Sequence, residues 1–123
     1  QGLEALIPHH MAMWFHPNHL KDEALVAVAA QSARNVGLAA YKRQMTAIMD
    51  RLDTAPTQAS ISCPTLVLCG RQDLVTPSHL HEAMADGIEG AELVVVEGSG
   101  HLSTLEKLDV VSAALRQWLC IGV

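Results

Sequence analysis

Two kinds of hydrophobic pattern divide the chain. Up to about residue 60 the apolar residues recur at helical spacing, and beyond it they come in short unbroken runs. Leu3, Leu6, Ile7, Met11 and Trp14 form a helical stripe over Gln1 to Phe15 that Pro8 is expected to interrupt and His16-Pro17-Asn18 to end. Asp22 and Glu23 place negative charge at the start of a second helix, which runs to Val36 and stops at Gly37. A third, Leu38 to Leu52, follows almost without a linker and sets Tyr41, Met45, Ile48, Met49 and Leu52 on one face, so the two predict an αα-hairpin. From Asp53 to Ser62 the composition shifts to Thr, Ala, Pro, Gln and Ser, which marks a connector.

Beyond it, Pro64-Thr65-Leu66-Val67-Leu68-Cys69 and Leu93-Val94-Val95-Val96 lack period-2 alternation, as expected of strands buried on both faces of a parallel sheet. Ser78 to Asp86 between them is helix-like. A last helix from about Leu105 to Leu119 carries Leu108, Val111, Leu115, Trp118 and Leu119 at helical spacing. Strand, loop, helix, strand, loop, helix is a βαβα unit, which requires a right-handed crossover and a parallel sheet. The fold class read from the pattern is α/β, with a helical segment over 1–60 and the βαβα unit over 61–123. Two strands leave unpaired edges and uncovered faces. Further strands are expected from sequence upstream of Gln1, from a second chain, or from another copy of this one.

Composition narrows the partners more than the fold. At 123 residues and 13.2 kDa the chain is one domain or less, and its first residue is Gln1 rather than Met, so it is expected to be part of a longer product. Half the residues are hydrophobic and 17% are charged, which excludes intrinsic disorder. The net charge of -5 argues against nucleic acid or an anionic membrane as partner, since both are held by clustered positive charge. No apolar run approaches the roughly 18 to 20 residues that span a bilayer, and no signal-peptide pattern opens the sequence. Three cysteines, Cys63, Cys69 and Cys120, are odd in number and lack metal-ligand spacing. They read as reduced, buried thiols of a cytoplasmic protein.

The candidate chemistry sits where the two strands end. In parallel α/β sheets the loops at the carboxyl ends of strands carry function, and here Gly70-Arg71-Gln72-Asp73 and Gly98-Ser99-Gly100-His101 deliver a carboxylate and an imidazole to one rim. Either residue alone has an ordinary structural explanation, a turn-capping aspartate or a satisfied loop histidine. Their order after two buried strands favours function. His16 and His19 suggest half a zinc site, but Pro17 breaks the helix that would align them and no further ligands fall at suitable spacing, so no metal is expected. His9 and His10 read as surface or cleft residues, and His79 and His81, two apart on a helix, face different ways. Met11 and Trp14 read first as packing and second as substrate contacts, and Cys69 reads as packing rather than nucleophile.

Taken with their surroundings, Gly70 to Pro77 and Gly98 to Glu106 resemble the C-terminal part of an α/β-hydrolase of the esterase and enol-lactonase kind. There a G-x-x-D-x-x-x-P loop supplies the triad acid and a G-H loop the triad histidine. The two positions here lie 28 apart, room for one helix and one strand. The helices before residue 60 resemble the cap inserted upstream of that strand. The resemblance implies that Asp73 orients and stabilises the imidazolium and that His101 serves as general base and then general acid. It implies tight turning at Gly98 and Gly100, a helix start at Pro77, and a steadying role for Glu106 in the histidine loop or its helix. The family often has a proline where this chain has Leu108. No G-x-S-x-G occurs, and Ser99 has Glu97 and His101 where the glycines belong. In the family the nucleophile and oxyanion donors lie upstream of the acid, so they are expected before Gln1.

The function expected from the resemblance is that of a C-terminal portion of a serine hydrolase acting on a small carboxylic ester or lactone, without metal or organic cofactor. The chain by itself is expected to be catalytically silent. The alternative is a non-catalytic interaction or oligomerisation module whose open strand edge pairs with a partner or a second copy. Acyl transfer and C–C bond hydrolysis on the same fold are not distinguished from ester hydrolysis by these residues.

Overall fold

The computed structural model describes residues 2–120. Helix α1 (Leu3–Trp14) is followed by a short 3-10 turn, His19–Lys21, and by the long helix α2 (Glu23–Met49). A second 3-10 stretch, Ala55–Ser60, leads into strand β1 (Leu66–Gly70), helix α3 (Ser78–Gly87), strand β2 (Glu92–Val96), the single turn α4 (Ser103–Glu106) and helix α5 (Leu108–Leu119). Thus the described chain is helical as far as Ser60 and carries both strands after it.

Each boundary has a local cause. Asp22 caps α2 by accepting a hydrogen bond from the Leu25 amide at 3.1 Å. Gly37 breaks α2 into two arms: its φ of 73° and ψ of 160° are non-helical, a conformation open to glycine and strained for other residues. Pro77, extended at φ -55° and ψ 150°, sets the entry to α3. The strands pair in parallel, Leu66 opposite Glu92 through Gly70 opposite Val96, with α3 packed on both. Parallel pairing with matched ends brings the loops after Gly70 and Val96 to the same rim.

The largest core cluster lies among the helices. Ile7, Met11 and Phe15 of the first segment meet Ala29 and Ala30 of α2, and Leu102 of the histidine loop packs against them. Small alanines on α2 let α1 approach closely, and Phe15, 1% exposed, fills the space between. Val67, Cys69, Ile88, Val96 and Val111 are buried around the sheet.

Six expectations need correction. Pro8 does not interrupt α1, which runs unbroken past it. One ladder bond is lost, at a cost of about 3 kcal/mol, while Ile7 and Met11 on either side are buried, at about 1.5–3 kcal/mol each. The second arm of α2 stops at Met49, not Leu52, and β1 starts at Leu66, not Pro64. The last helix is two pieces, broken at Lys107, whose φ of -139° and ψ of 49° fall outside the helical region. Neither strand is buried on both faces: Leu93 keeps 38% of its surface and Leu66 and Leu68 are only partly covered, as befits a sheet of two strands. Finally, Cys63 and Cys120 are exposed, since both lie outside the strands, and Cys69 alone is buried. Among the described residues no helix is long and apolar enough to cross a membrane.

Candidate active site

Asp73 stands three residues past the end of β1, in a turn that its own side chain organises. Oδ1 accepts from the amides of Val75 at 2.8 Å and Thr76 at 2.9 Å, and Oδ2 accepts from the Thr76 hydroxyl at 2.9 Å. The residue is 6% exposed. Burial by itself pushes the carboxyl upward, but the Thr76 amide, His101, the Thr76 hydroxyl and the Val75 amide together outweigh it and hold Asp73 below the usual aspartate value.

The histidine loop is built against this turn backbone to backbone. The Gln72 amide donates to the Ser99 carbonyl at 2.9 Å, and the Ser99 amide donates back to Gln72 Oε1 at 3.1 Å. A Cβ on Gly70 would overlap the carbonyl oxygen of Gly100, and one on Gly100 would lie 2.6 Å from the Trp14 carbonyl oxygen. Gly98 takes φ 66° to start the turn. His101 N and Leu102 N then both donate to the Trp14 carbonyl, at 2.7 and 3.2 Å. The loop is therefore pinned on one side by the end of β1 and the turn after it and on the other by Trp14, the last residue of α1.

These constraints bring the two sequence-predicted residues together: His101 Nδ1 lies 2.8 Å from Asp73 Oδ2. An ionised carboxylate can only accept, so Nδ1 carries a proton, and in the neutral ring Nε2 then holds the lone pair. The His101 side chain is 35% exposed, with Nδ1 turned to Asp73. An imidazole so held can take a proton at Nε2 and have the resulting charge balanced across Nδ1–H. Thr76, whose hydroxyl is also 3.5 Å from His101 Nδ1, and Gln72 were not singled out from the sequence. A threonine three residues after an aspartate is a side-chain-to-backbone turn signal that marks the first; the Gln72 bridge depends on a loop 27 residues away.

The remaining candidates separate. Ser99 is fully buried, its Oγ within 3.4 Å of the Gly100 carbonyl and Glu106, and so is no nucleophile. Cys69 is buried in β1, and burial pushes its thiol up. His16 and His19 have ring centroids 5.8 Å apart, but His19 Nδ1 donates to Glu106 Oε2 at 2.7 Å, and among the described residues no group of three or more metal-ligating side chains gathers. Met11 is in the core, whereas Trp14 lines a half-open apolar cavity of about 230 Å³ between α1, both arms of α2 and the residues after His101. In that cavity His10 stacks on Trp14 at 4.9 Å and shares a 3.0 Å hydrogen bond with the Tyr41 hydroxyl. Burial, and after it the neighbouring His9, lowers the pKa of His10.

The family model described as TAP-like protein matches residues 35–122. RutD of Serratia proteamaculans, named as a candidate carbamate hydrolase, is 33% identical over 121 residues, covering 96% of this chain and 45% of RutD. Among solved structures, the enol-lactonase of Burkholderia xenovorans superposes with a TM-score of 0.82 at 26% identity, over 97% of this chain and 45% of that one. An esterase of Thermogutta terrifontis gives 0.77 at 31% identity, over 95% of this chain and 42% of that one. The chain spans less than half the length of each, and so holds part of an α/β fold that is larger in these proteins. By the match over 35–122 and the two superpositions, the chain belongs to the TAP-like family of α/β-hydrolases.

Proposed function

We propose that this chain supplies the acid and the histidine of a Ser-His-Asp triad in a hydrolase acting on a small carboxylic ester or lactone. The observation that carries the reading is the 2.8 Å contact of His101 Nδ1 with the buried, depressed-pKa carboxylate of Asp73. In the proposed mechanism His101 Nε2 removes the proton of a serine hydroxyl as it attacks the ester carbonyl, then returns that proton to the leaving alcohol. Water repeats the cycle on the acyl-enzyme: Nε2 takes its proton, the carboxylic acid leaves, and the serine is reprotonated. The serine and the oxyanion donors come from outside these 123 residues, on the remaining strands of the sheet. Those strands belong to the rest of a longer protein or to a second copy, and no metal or organic cofactor takes part.

A chimera tests the reading. This chain replaces the matching segment of the Burkholderia enol-lactonase, and hydrolysis of p-nitrophenyl acetate is compared with that of the same chimera carrying His101→Ala. Turnover that His101→Ala abolishes is the expected result; a folded chimera with equal background rates in both overturns it. The isolated chain is expected to show no turnover above its own His101→Ala control.

A further inference from the structure

The cavity between α1 and the two arms of α2 has walls without charge. They are mainly aliphatic and aromatic, and none of the described residues that line it is Asp, Glu, Lys or Arg. The polar side chains among them are Ser32, Gln44, Tyr41 and His10. His10 is neutral near pH 7, because burial lowers its pKa, and its ring lies flat on Trp14 with the planes 6° apart. An ion entering this space gives up water and finds no opposite charge in return.

The cavity also abuts the candidate site. Leu102, one of its walls, follows His101, and the backbone carbonyl of Trp14, another, holds the amides of both. At about 230 Å³ it exceeds the roughly 150 Å³ of an apolar cavity that encloses benzene, so a ring with a short side arm fits.

We propose that the cavity receives an uncharged aryl or alkyl group of the ester, and so confines the intact hydrolase to substrates with no carboxylate, phosphate or ammonium on that group. The inference rests on the reading of Asp73 and His101 as a hydrolytic pair, since it sets the apolar group beside the bond they cleave. It goes further in choosing among esters. A half-ester with a free carboxylate presents the same reactive carbonyl and is still refused, because the refusal comes from the walls and not from the imidazole.

The test is binding to the full chain near neutral pH, followed by the indole N–H signals of its two tryptophans. Trp14 lines the cavity and Trp118, on α5, does not; Trp118→Phe assigns the signals. Methyl phenylacetate is expected to shift the Trp14 signal saturably and to leave Trp118 in place. Phenylacetate and phenethylammonium, of similar size but charged, are expected to bind about a hundredfold more weakly or not at all. Gln44 is an exposed member of the wall, and Gln44→Lys sets a cation there. In that variant phenylacetate is expected to come within about tenfold of the ester, with phenethylammonium still excluded.

Three results overturn the proposal. One is no Trp14 shift up to the solubility of the ester, or equal shifts of both tryptophans. Another is wild-type binding of either charged probe within about tenfold of the ester. The third is a Gln44→Lys chain that takes phenylacetate no better than wild type does. No turnover enters the measurement, so its failure leaves the Asp73–His101 pair standing, whereas the His101→Ala chimera can overturn that pair with the binding preference intact.

Discussion

Gly70 and Gly100 meet backbone to backbone, at the end of β1 and in the histidine loop, with no room between them for even a methyl group. Replacing Gly70 with Ala forces the two apart, and overpacking of this kind costs about 1–3 kcal/mol. The midpoint of urea unfolding is expected to fall accordingly. Gly2→Ala, where a Cβ meets nothing within 4 Å, stays within about 0.5 kcal/mol of wild type.

Asp73→Asn keeps the shape of the turn but gives His101 a donor where it had an acceptor, and so reverses the preferred tautomer. In the active chimera kcat is expected to fall by about 10³ to 10⁴-fold with KM little changed. Equal kcat in both chimeras removes Asp73 from the mechanism.

Because the carboxyl of Asp73 is held below the 3.8 of a free aspartate, the folded state binds its proton less readily than the unfolded state does. Its contribution to stability is fully present above 3.8 and is lost as the pH falls through the lower folded value. Chemical denaturation between pH 6 and about pH 2 is expected to show a steeper acid loss for wild type than for Asp73→Asn.

The thiols differ in reach. A thiol reagent at neutral pH is expected to modify Cys63 and Cys120 quickly, and Cys69 only after denaturation, since the last is buried and its thiolate disfavoured. Rapid modification of all three would place β1 at the surface.

Much of this was legible in the sequence wherever cause and effect lie close together. The two strands, the helix between them and the loops that follow are each set by runs of a few residues, and the order of Asp73 and His101 after those runs points to one rim. What escaped depends on contacts across the fold. The Gln72 bridge reaches 27 residues ahead, and the four partners of Glu106 include two lying 87 and 90 residues behind it. The break of the expected final helix at Lys107 likewise lies in backbone torsions that helical periodicity cannot reveal. Pro8 misled for the opposite reason: its local effect is real, but the burial of Ile7 and Met11 outweighs it.

Gly37 joins the two arms of α2 through a single non-helical residue. Ala29, Ser32, Ala33 and Val36 enter the cavity from one side of that joint, and Tyr41, Gln44 and Met45 from the other. The spacing of the two arms across the cavity accordingly depends on the φ and ψ of Gly37. A substitution that resets φ or ψ at Gly37 changes the size of molecule the cavity admits and leaves the chemistry of its walls as it was.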